Sequence, residues 1–361
     1  MPILERWSSP LTDVTAPQSH ADQSADQKIQ LSVLDLASVG VGRSSTQALA
    51  DSTTLVQAAD RLGYARYWVA EHHNMPAVAS TNPPVLMAHL AGASERIKLG
   101  SGGVMLPNHA PLVVAEQFAL LEALHPGRID LGIGRAPGTD GATAQALRRH
   151  TDAMSVEDFP LHVLETMAML GDVRPELIEA LGTRKPLAAT PNAQSYPEVW
   201  LLGSSGYSAQ MAGMLGLRYS YAHHFAPDAL AAVELYRSSF KPSPALEKPH
   251  VMIATSALIA ESAERAEFLA GPSRVQALAL RTGMLGPIVT PEQAAERVFS
   301  EAELAAMKHL PAIKTVGTVE TVLPELRALV EATGADELMV TGYTYNVQHR
   351  IDTLEALAAN W

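Results

Sequence analysis

A chain of 361 residues with 47% hydrophobic side chains has enough apolar material for a large buried core. Its formal net charge of −12 repels nucleic acid and anionic lipid, so any phosphate-bearing ligand needs a local pocket. The absence of cysteine removes disulfides, thiolate nucleophiles and thiolate metal sites, and no run approaches the roughly 18 apolar residues of a membrane span.

In chain order, residues 1–28 are rich in Ser, Asp, Gln and Pro and lack the basic start and apolar centre of a secretion signal. They read as a disordered arm, and the protein is expected in the cytoplasm. Leu31 to Ala37 is the first predicted strand, followed by the loop from Ser38 to Gly42 and a helix from about Thr46 that Gly63 ends. Tyr67 to Ala70 is the second strand. It runs directly into Glu71-His72-His73-Asn74, an abrupt change from apolar to titratable side chains. Asn82-Pro83 is an N-cap with proline at the first helical position. Ile97 to Leu106 is a third strand, with Gly100-Ser101-Gly102-Gly103 inside it, and Ile129 to Gly134 is a fourth, ending in Arg135.

These strands begin about thirty residues apart, each followed by a helical pattern, which is a βα rhythm. Beyond Ala136 the pattern loosens around a helix from Ser155 to Leu170, with Ser155 and Asp158 as a capping pair. It resumes with Val199 to Leu202, Tyr219 to Ala222, His250 to Ile259 and Glu337 to Thr341. The expected fold is α/β: a (β/α)8 TIM barrel spanning 29–361 as a single domain, with an insertion at about 260–335 before the last strand.

Polar groups at the carboxyl ends of the strands converge on one rim of such a barrel. Arg135 stands there with a planar cation suited to phosphate oxygens, or to a rim salt bridge. Gly203-Ser204-Ser205-Gly206-Tyr207-Ser208 offers amides and hydroxyls at a helix start, suited to a phosphate or to simple capping. His72 and His73, adjacent in extended chain, point to opposite faces and cannot easily share a metal. His72 is the candidate for pocket chemistry, a structural histidine being the alternative. His223 and His224 read as pocket wall or packing. The glycines of strand three mark a bend or the close approach of a flat ring. Gly132-Ile133-Gly134 lacks the third glycine of a dinucleotide fingerprint, and no nucleotide-triphosphate loop is present. Glu71 has no evident partner carboxylate for glycoside hydrolysis.

Taken together, Trp68 to His73, Asn82-Pro83, Leu99 to Pro107, Gly127 to Arg135 and Gly203 to Tyr207, in that order, resemble the bacterial luciferase-like flavin monooxygenases. The resemblance implies FMN at the barrel rim, reduced by a separate NAD(P)H:flavin reductase, with O2 and a small organic substrate, commonly in a homodimer. By position it implies His72 as the histidine assisting chemistry and Gly102-Gly103 as a non-proline cis peptide under the flavin ring. Arg135, Ser204, Ser205, Gly206 and Tyr207 would hold the phosphate, Ala37 and Ser38 would complete the cofactor contacts, and His73, His223 and His224 would face substrate. No metal is implied. The strand-five turn departs from that of the luciferase subunits, so light emission and long-chain aldehydes do not transfer. A deazaflavin-dependent dehydrogenase on the same barrel and a non-catalytic flavin-binding protein are the alternatives.

Overall fold

In a computed structural model, residues 29–147, 158–182, 187–307 and 315–361 are described. The arm 1–28 and Ser155 of the expected capping pair lie outside them. Asp158 caps the helix Phe159–Met169 by position, without a side-chain hydrogen bond.

The strands are β1 (Gln30–Asp35), β2 (Arg66–Val69), β3 (Lys98–Ser101), β4 (Val104–Met105), β5 (Ile129–Gly134), β6 (Glu198–Gly203), β7 (Arg218–Ala222), β8 (Val251–Ile259), β9 (Thr315–Gly317) and β10 (Glu337–Thr341). β1, β2, β3, β5, β6, β7, β8 and β10 pair in parallel, and β10 closes on both β1 and β8. The result is the eight-stranded (β/α)8 barrel with an insertion before its last strand.

Two details differ from the sequence reading. The third strand is divided at Gly102-Gly103, whose peptide bond is cis as the resemblance implied, and its continuation β4 pairs only with β5. The insertion also carries a short strand, β9, which extends the sheet beside the far end of β8 and follows the helix Ala263–Thr282. Three residues are too few for a periodic signal to emerge from the sequence.

Alternation along each strand sorts side chains between two cores. Outward residues such as Val33, Tyr67, Leu99, Leu131 and Leu338 pack under the helices. Inward ones form layers. At the amino-terminal end Arg66 donates to both oxygens of Asp130 at 2.8 Å, to Glu198 at 3.1 Å and to Glu337 at 3.1 Å. Ser32 donates to Glu337 and Lys98 to Glu198, so this floor is a network of charges, buried at Arg66, Asp130 and Glu337 and half-buried at Glu198 and Lys98. Above it Trp68 and Trp200 meet edge to face, 5.2 Å between ring centroids, and the Trp68 indole donates to Asp130 at 2.9 Å. Gly100 leaves room for this layer, because a Cβ there would lie 2.2 Å from Trp68 Nε1. At Gly100, then, the flat ring that approaches the backbone is the protein's own indole.

Candidate active site

Above the tryptophan layer the barrel opens into a cavity at the carboxyl ends of the strands. Leu34, Trp68, Gly102, Leu202 and Met339 line its depth, and His72, His224, Phe225 and Tyr343 stand around it. Gly102 keeps the wall open, since a Cβ there would meet Leu34 at 2.7 Å. No helix among the described residues is long and apolar enough to cross a membrane, and no cluster of three or more His, Asp or Glu there could hold a metal ion.

His72 follows β2 in extended chain. Its Nδ1 lies 3.1 Å from the carbonyl oxygen of Gly138, so Nδ1 carries the proton and donates. The neutral ring then keeps Nε2 as an acceptor. Burial holds the His72 pKa below the usual histidine value, outweighing the Gly138 hydrogen bond and the nearby Glu71 charge, which both favour the cation. The left-handed φ of +66° at Gly138, with no room for a Cβ against the Glu71 carbonyl at 2.5 Å, makes glycine the fitting residue at this corner.

His73 points the other way, as alternation requires. Its Nε2 lies 2.8 Å from the buried carboxylate of Glu71, which also receives His109 Nε2 at 2.8 Å and the Met105 amide at 3.0 Å. Burial alone would raise the Glu71 pKa, but the hydrogen bonds from His109 and His73 override it and hold the carboxyl below its usual range. Glu71 therefore braces the rim from behind and does not face the cavity. His109, on the turn after β4, follows the apolar third strand as His72 follows the second; its pairing with Glu71 is what the sequence did not assign.

The phosphate-suited elements come together. Arg135, exposed at the end of β5, lies over the Tyr207 ring at 4.3 Å from its centroid. Tyr207 belongs to the first turn of the helix Gly206–Leu215, whose N-cap Ser205 makes no side-chain capping bond. The amides of that turn and the exposed hydroxyls of Ser204 and Ser205 thus share one corner with the guanidinium. Among the described residues no carboxylate pairs with Arg135, whose guanidinium instead stacks on Tyr207.

Other sequence candidates lie elsewhere. Ala37, with φ +50°, and Ser38 line a small separate recess beside Asp35 and Arg350, so the structure does not bring them into the cavity. His223 Nδ1 lies 3.0 Å from Thr255 Oγ1, away from the cavity lining, whereas His224 lines it, with Nδ1 2.9 Å from the Ala254 carbonyl and its ring 4.4 Å from Phe225. Leu202, Met339, Thr341 and Tyr343 are cavity residues that the sequence reading passed over. In sequence they are ordinary strand-end residues; only closure of the barrel gathers them.

A family model described as luciferase-like monooxygenase matches residues 29–337. The chain is 42% identical over 334 residues to a luciferase-like monooxygenase of Escherichia coli strain K12, covering 91% of this chain and 96% of that one. Among solved structures it is similar to apo-MsnO8, with a TM-score of 0.80 and 32% identity over 92% of this chain and 98% of that one. The fold is shared with the oxygenating constituent of 3,6-diketocamphane monooxygenase from Pseudomonas putida, solved in complex with FMN, at a TM-score of 0.66 and 19% identity over 92% and 98% of the two chains.

Proposed function

Because the chain belongs to the luciferase-like monooxygenase family, we propose that it binds reduced FMN from a separate NAD(P)H:flavin reductase and uses O2 to oxidise a small organic substrate. The observation that carries this reading is the Arg135 guanidinium over Tyr207 at 4.3 Å, beside an uncapped helix start and on the same rim as the His72 cavity. That donor set fits a phosphate monoester. The neighbouring cavity, glycine-walled at Gly102, fits a flat ring.

In this reading Arg135, Tyr207, Gly206 and the Ser204 and Ser205 hydroxyls would hold the phosphate, and the Gly102-Gly103 backbone would border the ring. The bound reduced flavin supplies the two electrons for activating O2. His72 acts as a base: with Nδ1 held by Gly138, Nε2 accepts a proton from the reacting groups. Leu34, Trp68 and Leu202 keep water from the reaction. His224 forms part of the substrate wall, a cytoplasmic homodimer is the working form, and no metal takes part.

The test pairs native mass spectrometry of the protein with FMN, its reduced form and deazaflavin against oxygen uptake with a flavin reductase present. Binding of reduced FMN and substrate-dependent oxygen uptake support the proposal. Preferential deazaflavin binding with hydride transfer and no oxygen uptake would replace it with a dehydrogenase, and flavin binding without any turnover would reduce the protein to a carrier.

A further inference from the structure

The register of β4 sets Met105 beside Gly134 of β5. Leu131 packs outward under the helices, so by alternation Gly134 faces into the barrel. A Cβ at Gly134 would lie 2.8 Å from Met105 Sδ and 3.3 Å from Leu202 Cδ1, which places the thioether inside the barrel, in the room that the glycine leaves. Met105 is 8% exposed and lines the cavity together with Gly102 and Leu202, and Arg135 directly follows Gly134. The sulfur therefore stands between the glycine that would border the ring and the guanidinium that would hold the phosphate. The other thioether of the cavity lining, Met339, is 1% exposed.

Resting on the function proposed above, reduced FMN that meets O2 with no substrate to oxidise passes its two electrons to oxygen, and hydrogen peroxide is released inside the cavity. We propose that Met105 is a self-modification site, oxidised by that peroxide to the sulfoxide. The sulfur lone pair attacks one peroxide oxygen, the O–O bond breaks as the S–O bond forms, sulfur loses two electrons, and the second oxygen leaves as water with both protons. The new oxygen is a strong acceptor on a wall with little to donate: Leu202 and the Gly134 backbone flank the sulfur, and the Met105 amide is already given to Glu71 at 3.0 Å. It projects into the cavity, into the space proposed for the ring. An enzyme idling without substrate thus closes its own site to flavin, and methionine sulfoxide reductases reopen it.

The test carries the protein through turnover with FMN, NADPH and a flavin reductase in air, without substrate and with catalase to clear peroxide from the bulk solution. Peptide mass spectrometry then reads the oxygen added at each methionine. Met284, 70% exposed, is the internal control. Met105 is expected to gain oxygen severalfold ahead of Met284 in this arm, whereas dilute hydrogen peroxide added to the flavin-free protein should oxidise Met284 first. FMN affinity in a fluorescence titration should fall about tenfold in the sulfoxide form, the scale of forcing an extra atom into a fitted space. It should return after treatment with methionine sulfoxide reductases A and B, and stay constant in Met105→Leu carried through the same turnovers. Met284 level with or ahead of Met105 during turnover overturns the proposal, as does an FMN affinity that falls equally in Met105→Leu. Reduced FMN retained in native mass spectrometry with Met105 unmodified sinks the assignment of Met105 alone; no retention of reduced FMN sinks the flavin reading and this assignment with it.

Discussion

In the proposed function Arg135 serves binding and His72 serves chemistry, and kinetics can separate the two. Arg135→Ala removes a charge-assisted contact worth about 1.5–3 kcal/mol, so FMN affinity should fall roughly tenfold to a hundredfold in a fluorescence titration. His72→Asn should leave that affinity within about twofold and lower single-turnover oxidation by roughly 10²–10⁴. A parallel loss of affinity in both variants would undo the division of labour. The pH profile follows from the depressed His72 pKa. The folded ring stays neutral below the ordinary value of 6.5, so the acid limb of kcat/KM should lie below 6.5 and vanish in His72→Asn. Linkage has the same sign: below 6.5 the unfolded chain takes up a proton that the folded ring refuses, and stability falls with pH. His72 and Arg135 were legible because a titratable side chain directly after an apolar strand stands out. Met105 was not, since nothing in a methionine within a strand announces that its sulfur will fill the room left by Gly134 on the next one.

Within the barrel strands, the buried floor is where charge decides stability. Arg66 bridges Asp130, Glu198 and Glu337 from three other strands, so Arg66→Met leaves several carboxylates without their cation. That change should cost about 3–5 kcal/mol in urea unfolding, the range for breaking a buried ion pair from one side. Burial would raise the pKa of Glu198, but Arg66, Arg218 and Lys98 draw it down to about 2. Its stabilising effect is thus complete above the unfolded value of 4.5 and is lost as pH falls from there toward about 2. Acid titration followed by circular dichroism should show a loss in that window that Glu198→Gln reduces. The βα order was readable because strand and helix periods differ, whereas the floor was not. Arg66, Asp130, Glu198 and Glu337 lie at strand starts far apart in the chain, and polar residues there read as ends of elements. Gly100 was read as room for a ligand for the same reason: the Trp68 indole that fills its place comes from the adjacent strand.

For the molecule as a whole, the helices Pro83–Gly92 and Pro111–Leu124 are apolar on more than their core-facing sides. Val85 is 67% exposed, and on the second helix Val113, Leu120 and Leu124, spaced along one stripe, are 49%, 50% and 59% exposed. A helix apolar around most of its girth is normally covered. This face is therefore the expected contact of the proposed homodimer, and Leu120→Glu should shift the sedimentation coefficient from dimer to monomer without changing the barrel's circular dichroism. An unchanged sedimentation coefficient would exclude the face. The barrel and the corner around Arg135 and Tyr207 could be anticipated because they follow chain order and local chemistry. What covers an outer face could not, since an exposed leucine and a covered one are written alike. The corner at Gly138 ties these regions together. Its carbonyl receives His72 Nδ1 at 3.1 Å and the His73 amide at 3.3 Å, and Thr139 donates back to the His73 carbonyl at 2.7 Å. The segment leaving Arg135 is thus riveted to the one bearing the imidazole, like two blades on one pin. In the proposed function, the chain that follows the phosphate contact at Arg135 is therefore also the chain that orients the His72 imidazole.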